Sequence, residues 1–243
     1  KCAALGASIR PGVATISLGT ACAISCLTTT PTLDPERRIP AFPFVAPGFW
    51  ILEGVVGTAG AAIRWARDTF FPNEEFTTLD EWASRAKPGA NGVRFYPHLA
   101  GATSPYWDSH ARGSFTGLSL ASERGDILRA ILEGVAFQIK ANLEVIETMA
   151  PIEELILFGG GARSELWRNI MAQVSGKPLR VASTIDVANW GACLLAGVGA
   201  GLIENPMEPS TSGSSTEWYI PEESISQQYQ KLYDEYLRSF DAQ

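Results

Sequence analysis

The sequence predicts an α/β domain built on a mixed sheet with helices on its faces, and three observations carry that expectation. β-rich runs come first and close together: 13–20 ("VATISLGT"), 23–30 ("AISCLTTT") and 49–56 ("FWILEGVV"). After them, segments of helical and of strand period alternate to the end of the chain, the pattern of helices laid on a sheet. A hydrophobic fraction of 46% over 243 residues is ample for one buried core. No internal repeat, low-complexity tract or splitting linker interrupts the chain, so 1–243 is expected to be a single domain.

The elements follow in order. The first two runs flank a tight Gly19-Thr20 corner and read as a hairpin. Residues 57–68 ("GTAGAAIRWARD") carry helical spacing with small residues on one side. A second helix is expected over 78–86, capped by Thr78 or Asp80. The stretch 92–119 reads as a strand and then a long turn-rich segment. The longest helix is expected over 123–149, where Ile127, Ile131, Val135, Ile139 and Leu143 recur every four residues and give it one apolar face. A buried strand over 155–158 leads through Gly159, Gly160 and Gly161 to a helix over 164–175. A short strand (179–182), a small-residue helix (187–201), a Pro/Ser/Thr/Gly-rich loop (205–213) and a polar helix (222–240) complete the pattern.

Charge narrows the function. The net charge is -7 with no dense Lys/Arg run, which argues against a nucleic-acid or anionic-membrane partner. It does not argue against a nucleotide, because backbone N–H groups can hold phosphates in an acidic protein. No stretch approaches the ~20 continuous apolar residues of a membrane span. Cys2, Cys22, Cys26 and Cys193 sit in apolar surroundings and read as buried free thiols of a reducing cytoplasm, with no second pair to make a metal site. The chain opens on Lys1 and its first methionine is Met149, so it is expected to be a piece of a longer polypeptide.

A strand that runs into three glycines and then a helix puts bare backbone at a strand's carboxyl end, where open α/β sheets bind ligands. Ser164 can cap that helix and leave its first N–H groups facing the same space. Taken alone, the motif is equally a plain strand-to-helix turn. Gly19 with Thr20 offers a close-approach backbone and a hydroxyl suited to a phosphate oxygen, or only a turn. Gly60, one turn before Arg64, lets a helix approach a ligand or simply a sheet. The glycines do not follow the spacing of a dinucleotide fingerprint. His98 reads as structural, as do Asp108 and Arg112, and Asp234 and Glu235 as a solvated helix face.

In combination and order the motifs resemble the FGGY family of carbohydrate kinases. The segments are "ISLGT" (16–20), "LEGVVGTAGAAIRWARD" (52–68) and "LFGGGARSELWRN" (157–169). Between the last two lies "GSFTGLSLASERGDILRAILE" (113–133), which looks like that family's second signature through Gly113, Phe115, Gly117, Leu118, Asp126, Ile127, Ala130 and Glu133. "GGGARSELWR" followed by "VSGKPL" is most similar to xylulose kinases, and "LEGVVGTAGAAIRWARD" also to glycerol kinases, which carry Gln where this chain has Arg64.

The resemblance implies a ribonuclease-H-like domain of the actin/hexokinase type, the C-terminal, nucleotide-binding half of a two-domain sugar kinase. It implies that Gly19 and Thr20 face the β- and γ-phosphates of Mg-ATP, that Gly60 and Arg64 line the nucleotide pocket, and that Gly159, Gly160, Gly161 and Ser164 contact the adenosine. It places the catalytic Asp directly before Lys1, so that no catalytic residue or metal ligand is expected in this chain. It assigns the sugar, with a ketopentose such as xylulose favoured, to an N-terminal domain of the same polypeptide. A non-kinase nucleotide-binding lobe of the same superfold is the competing reading. The helix over 187–201 suits either a core position or a homodimer interface.

Overall fold

The computed structural model describes residues 1–183, 186–208 and 217–240. Its elements are α1 (Cys2–Gly6), β1 (Gly12–Leu18), β2 (Cys22–Thr28), β3 (Ala41–Pro43), β4 (Trp50–Val56), α2 (Gly60–Phe70), α3 (Phe76–Arg85), β5 (Arg94–Tyr96), β6 (Ser114–Thr116), α4 (Arg124–Glu147), β7 (Ile152–Phe158), α5 (Glu165–Ser175), β8 (Leu179–Val181), α6 (Val187–Gly199), β9 (Trp218–Tyr219) and α7 (Glu223–Phe240). Seven strands form one sheet in the order β3-β4-β2-β1-β7-β8-β9. The hairpin β1–β2 and the pairs β2–β4, β3–β4 and β8–β9 are antiparallel, while β1–β7 and β7–β8 are parallel. The mixed sheet flanked by helices is thus present, with β5 and β6 as a separate small ribbon.

Strand alternation splits the apolar residues between two faces. Ala14, Ile16 and Leu18 of β1 and Leu155 and Leu157 of β7 join the main core under α4. Val13, Ile156 and Phe158 point the other way, beside Val187 of α6. On that second face Leu27 and Ile51 pack with Ala4, Leu5 and Leu194 of α1 and α6. The apolar α6 keeps Ala188, Asn189, Trp190, Ala192 and Cys193 exposed.

α4 departs from the expectation of one apolar face: 20 of its 24 residues are buried. It is a central helix, enclosed by the sheet on one side and by α3, α5 and α7 on the others, so its polar positions must find partners inside the protein. Arg129 Nε donates to Glu133 Oε1 at 2.7 Å, Arg129 Nη1 to the Ala86 carbonyl at 2.9 Å, and Arg129 Nη2 to Tyr229 Oη at 2.8 Å. The Gly89 N–H and the Tyr229 hydroxyl donate to the same Glu133 carboxylate. Lys140 Nζ donates to the Val174 carbonyl and to Gln230 Oε1. At the N-terminus Glu123 and Asp126 form a capping box, and Asp126 also takes Asn91 Nδ2 at 2.7 Å.

Other expectations are corrected. α3 begins at Phe76 with Glu75 at its N-cap, so Thr78 and Asp80 lie inside the helix and cap nothing. α2 begins three residues late because residues 57–59 form a turn, in which the Gly57 N–H reaches Thr103 Oγ1 at 3.1 Å and the Thr58 hydroxyl reaches the Pro97 carbonyl. α7 is polar in composition yet buries Tyr229, Tyr233 and Tyr236 against α4, and Glu235 pairs with Arg94 rather than facing solvent freely. Of the cysteines only Cys22 and Cys26 are buried; Cys193 is exposed because α6 packs on one side only. Cys22 and Cys26 lie four residues apart on one strand, about 13 Å at the usual rise, too far to share a metal ion. The loop expected over 205–213 falls outside the described residues from 209 onward.

Glu133→Ala would strand the Arg129 guanidinium in the core and is expected to destabilise the fold by about 3–5 kcal/mol. Urea unfolding of the intact protein checks this, and an unmoved midpoint would show the pair to be dispensable. Burial raises the Cys22 thiol and pushes Cys26 up to about 12. Both are therefore expected to resist alkylation at pH 8 in the native protein and to react once denaturant is added, as mass spectrometry of labelled peptides would show.

Candidate functional site

β1 and β7 run parallel with Ser17 opposite Phe158, so both strands end at the same edge of the sheet. Just past that edge the Gly19-Thr20 turn and the three glycines stand side by side. The approach is close. A Cβ on Gly159 would sit 2.6 Å from the Leu18 carbonyl oxygen, and Gly159 holds φ +97, a conformation that disfavours any side chain. Gly161 is also used by the fold: a Cβ there would lie 2.5 Å from Leu18 Cδ2 and 3.0 Å from the Trp167 ring. Gly160 differs, because an added Cβ would meet no atom within 4 Å. Of the three glycines, Gly160 alone turns open backbone to the space beyond.

Gly60 has a structural explanation of its own. Its N–H donates to the Gly19 carbonyl at 2.9 Å, and a Cβ would come within 2.5 Å of the same oxygen. Ala59 and Ala61 donate to the Thr20 carbonyl, each at 3.0 Å. The first amides of α2 thereby fix the β1–β2 turn, with the Thr20 side chain left exposed and its hydroxyl without a hydrogen bond among the described residues.

These pieces border one cavity of about 630 Å³, within the usual size of a small-molecule site. Leu18, Gly19 and Thr20 border it from the sheet, and Gly60, Ile63 and Arg64 from α2. Gly160, Gly161, Arg163, Ser164 and Trp167 come from the turn and α5, Leu132 from α4, and Glu75, Phe76, Thr77 and Asp80 from α3. Every expected site residue except Gly159 touches it, and Gly159 shapes it from behind. Ser164 is the N-cap expected for α5, accepting the Trp167 N–H at 3.1 Å. Trp167 is 2% exposed and anchored by its Nε1 on the Leu132 carbonyl at 3.0 Å. The guanidiniums of Arg64 and Arg163 stand exposed on the rim, with no acidic partner among the described residues.

The α3 residues were not legible as site residues, because their helix meets the glycine turn only through tertiary packing. Asp80 is the sharpest case. Burial pushes its carboxyl above the ordinary range, against the opposing influence of the Ser164 hydroxyl. Phe76, one turn earlier, is 41% exposed beneath the Arg67 guanidinium at 4.3 Å. Asp108 and Arg112 instead hold their own loop, with Asp108 Oδ1 accepting the His110 N–H and Arg112 Nη1 donating to the Ser109 and Ala111 carbonyls. Buried His98 also lies outside the cavity.

The family model described as the FGGY family of carbohydrate kinases, C-terminal domain, matches residues 14–200. A gluconokinase of Bacillus licheniformis is 31% identical over a 237-residue alignment that covers 93% of this chain and 46% of that protein. A xylulose kinase of Staphylococcus epidermidis is 27% identical over 99% of this chain and 48% of its own length. Among solved structures, a ligand-bound xylulose kinase from Lactobacillus acidophilus superposes with a TM-score of 0.92 at 26% identity, over 99% of this chain and 49% of that one. The chain thus spans about half the length of the relatives it matches. Gluconokinase and xylulose kinase stand within a few points of identity of each other, so they fix the family and not the sugar.

The two adjacent glycines separate fold from site. Gly159→Ala is expected to destabilise the protein by about 1–3 kcal/mol through a strained backbone, while Gly160→Ala leaves stability unchanged. Thermal unfolding of the two variants checks the contrast, which fails if both behave alike.

Proposed function

Since this chain belongs to the FGGY family of carbohydrate kinases, over the family's C-terminal domain, we propose that the intact protein transfers the γ-phosphoryl group of ATP to a hydroxyl of a sugar or polyol. This chain serves as its nucleotide-binding half. The observation that carries the reading is that one cavity at the carboxyl ends of β1 and β7 gathers three glycine motifs far apart in sequence. The cavity's chemistry suits a nucleotide. Its floor is apolar at Leu132 and Trp167, its wall is open backbone at Gly160, and its rim carries two cations at Arg64 and Arg163.

In this reading Gly19 and Thr20 face the β- and γ-phosphates, held in place by the first amides of α2. Gly160, Gly161 and Ser164 meet the adenosine, with Gly159 setting the turn, and Gly60 and Arg64 close the wall. Phosphoryl transfer rests mainly on positioning and on spreading the phosphate charge over donors and a metal ion. A magnesium ion would be held by the nucleotide's own phosphates and would help spread their charge. Among the described residues no group of three or more His, Cys, Asp or Glu side chains is placed to hold it. The base that accepts the hydroxyl proton and the sugar contacts belong to an N-terminal domain and the Asp expected before Lys1. A ketopentose such as xylulose is the favoured acceptor, on the likeness of the 159–179 segment to xylulose kinases.

The intact protein, offered D-xylulose, gluconate, glycerol and related ketoses and polyols with ATP, is expected to release ADP in a sugar-dependent way. If no acceptor raises the rate above the no-sugar level, the kinase reading fails. Gly160→Val is expected to raise the KM for ATP by about tenfold or more while leaving the unfolding midpoint in place.

A further inference from the structure

The cavity holds a polar group that the reading above does not use, the Asp80 carboxyl of α3. We propose that Asp80 reads the base of the bound nucleotide, accepting a hydrogen bond from the 6-amino group of adenine and disfavouring a 6-keto base. The inference rests on the nucleotide site proposed above and adds to it a residue that selects the nucleotide.

Ser164 is already engaged by the fold. Its hydroxyl oxygen accepts the Trp167 N–H at 3.1 Å, and the Asp80 carboxyl borders the same cavity. Ser164 Oγ is thereby engaged as an acceptor by the helix cap, whereas the Asp80 carboxyl caps nothing. An ionised carboxylate has about four acceptor positions; the one side chain that favours the charged form of Asp80 is Ser164, and no Lys or Arg pairs with it among the described residues. The carboxyl is half-buried and borders the cavity beside Ser164. A half-buried acceptor left this short of donors favours a ligand that brings one.

The place of Asp80 says which part of the ligand that is. The phosphate end of the cavity is the Gly19-Thr20 turn, clamped by α2. Asp80 sits instead with Ser164, at the cap of α5 and past the open backbone of Gly160. Phe76 lies one helical turn away on the same side of α3 and borders the same cavity. An open glycine face, an exposed aromatic ring and an acceptor-only group together suit a flat heteroaromatic ring with an N–H donor on its edge. The 6-amino group of adenine is such a donor. The 6-keto oxygen of hypoxanthine or guanine would turn lone pairs toward the carboxylate.

Titration calorimetry on the intact protein with Mg-ADP and Mg-IDP tests this. The wild-type protein is expected to bind ADP at least about tenfold more tightly than IDP. Asp80→Asn leaves the Ser164 hydroxyl free to accept the Trp167 N–H, so the cap survives. Its amide can turn an N–H toward a keto oxygen, and the ADP:IDP ratio is expected to fall to within about threefold. Ser164→Ala, which breaks the cap and keeps the carboxylate, is expected to weaken both nucleotides in parallel. The proposal is overturned if the wild type does not discriminate. It is also overturned if Asp80→Asn leaves the ratio unchanged, or weakens both ligands equally, as a purely structural link to Ser164 would. Failure of the wild type to bind either nucleotide would instead remove the nucleotide site itself, and this inference with it.

Discussion

Everything that matters for function in this domain depends on how closely β1 and β7 approach at their carboxyl ends. The parallel register brings Ser17 opposite Phe158, and the next step in each chain is a glycine turn. Gly159 packs its bare Cα against the Leu18 carbonyl, so the two turns meet without an intervening side chain. Any residue with a Cβ at that point would push the strands apart and separate the two halves of the cavity. The antiparallel hairpin β1–β2 and the crossover through α4 both converge on this junction. The site is therefore a consequence of the sheet's topology, in keeping with the tendency of α/β sheets to bind ligands where strand ends open.

The junction is held from below by α4. A helix buried around almost its whole circumference would carry a heavy penalty for each polar side chain, yet it holds Arg129, Glu133, Gln138, Lys140 and Asn142. Each is answered by a partner: Tyr229 and the Gly89 N–H for the Arg129–Glu133 pair, Gln230 for Lys140, Tyr236 for Gln138, and Ser104 for Asn142. Three of these partners lie on α7. Those bonds specify where α7 docks more than they add stability, since buried polar groups tolerate only one arrangement. Several signature residues of the 113–133 segment have the same character. Asp126 caps α4, Glu133 anchors it, and Gly117 makes room for the Gly92 carbonyl, 2.1 Å from where a Cβ would stand.

The cavity divides its own residues in a similar way. Gly60, Gly159 and Gly161 are glycines because the protein's backbone or side chains occupy the space a Cβ would need. Gly160 is a glycine whose freedom the fold does not use. Ser164 spends its hydroxyl oxygen on the helix cap, while Thr20, Arg64 and Arg163 keep polar groups facing outward. A run such as "GGGARS" thus mixes positions that shape the site with positions that can touch a ligand, and only the surrounding atoms separate them.

The sequence by itself determined the fold class, the hairpin with its Gly19-Thr20 corner, the glycine strand-to-helix turn with Ser164 as cap, and membership of a kinase family. All of these rest on local signals: period-two and period-3.6 patterning, turn chemistry and short motifs at fixed spacing. It misread what depends on contacts far along the chain. α4 reads as amphipathic because each of its faces looks locally ordinary, and its burial comes from α7, about a hundred residues later. Asp80 reads as a helix cap because Asp commonly caps helices, and nothing near it in sequence announces Ser164, 84 residues on. Tertiary structure alone decided that α3 would close the cavity wall. A side chain's partner across such a gap is fixed by the packing of whole elements, and local sequence carries no record of it.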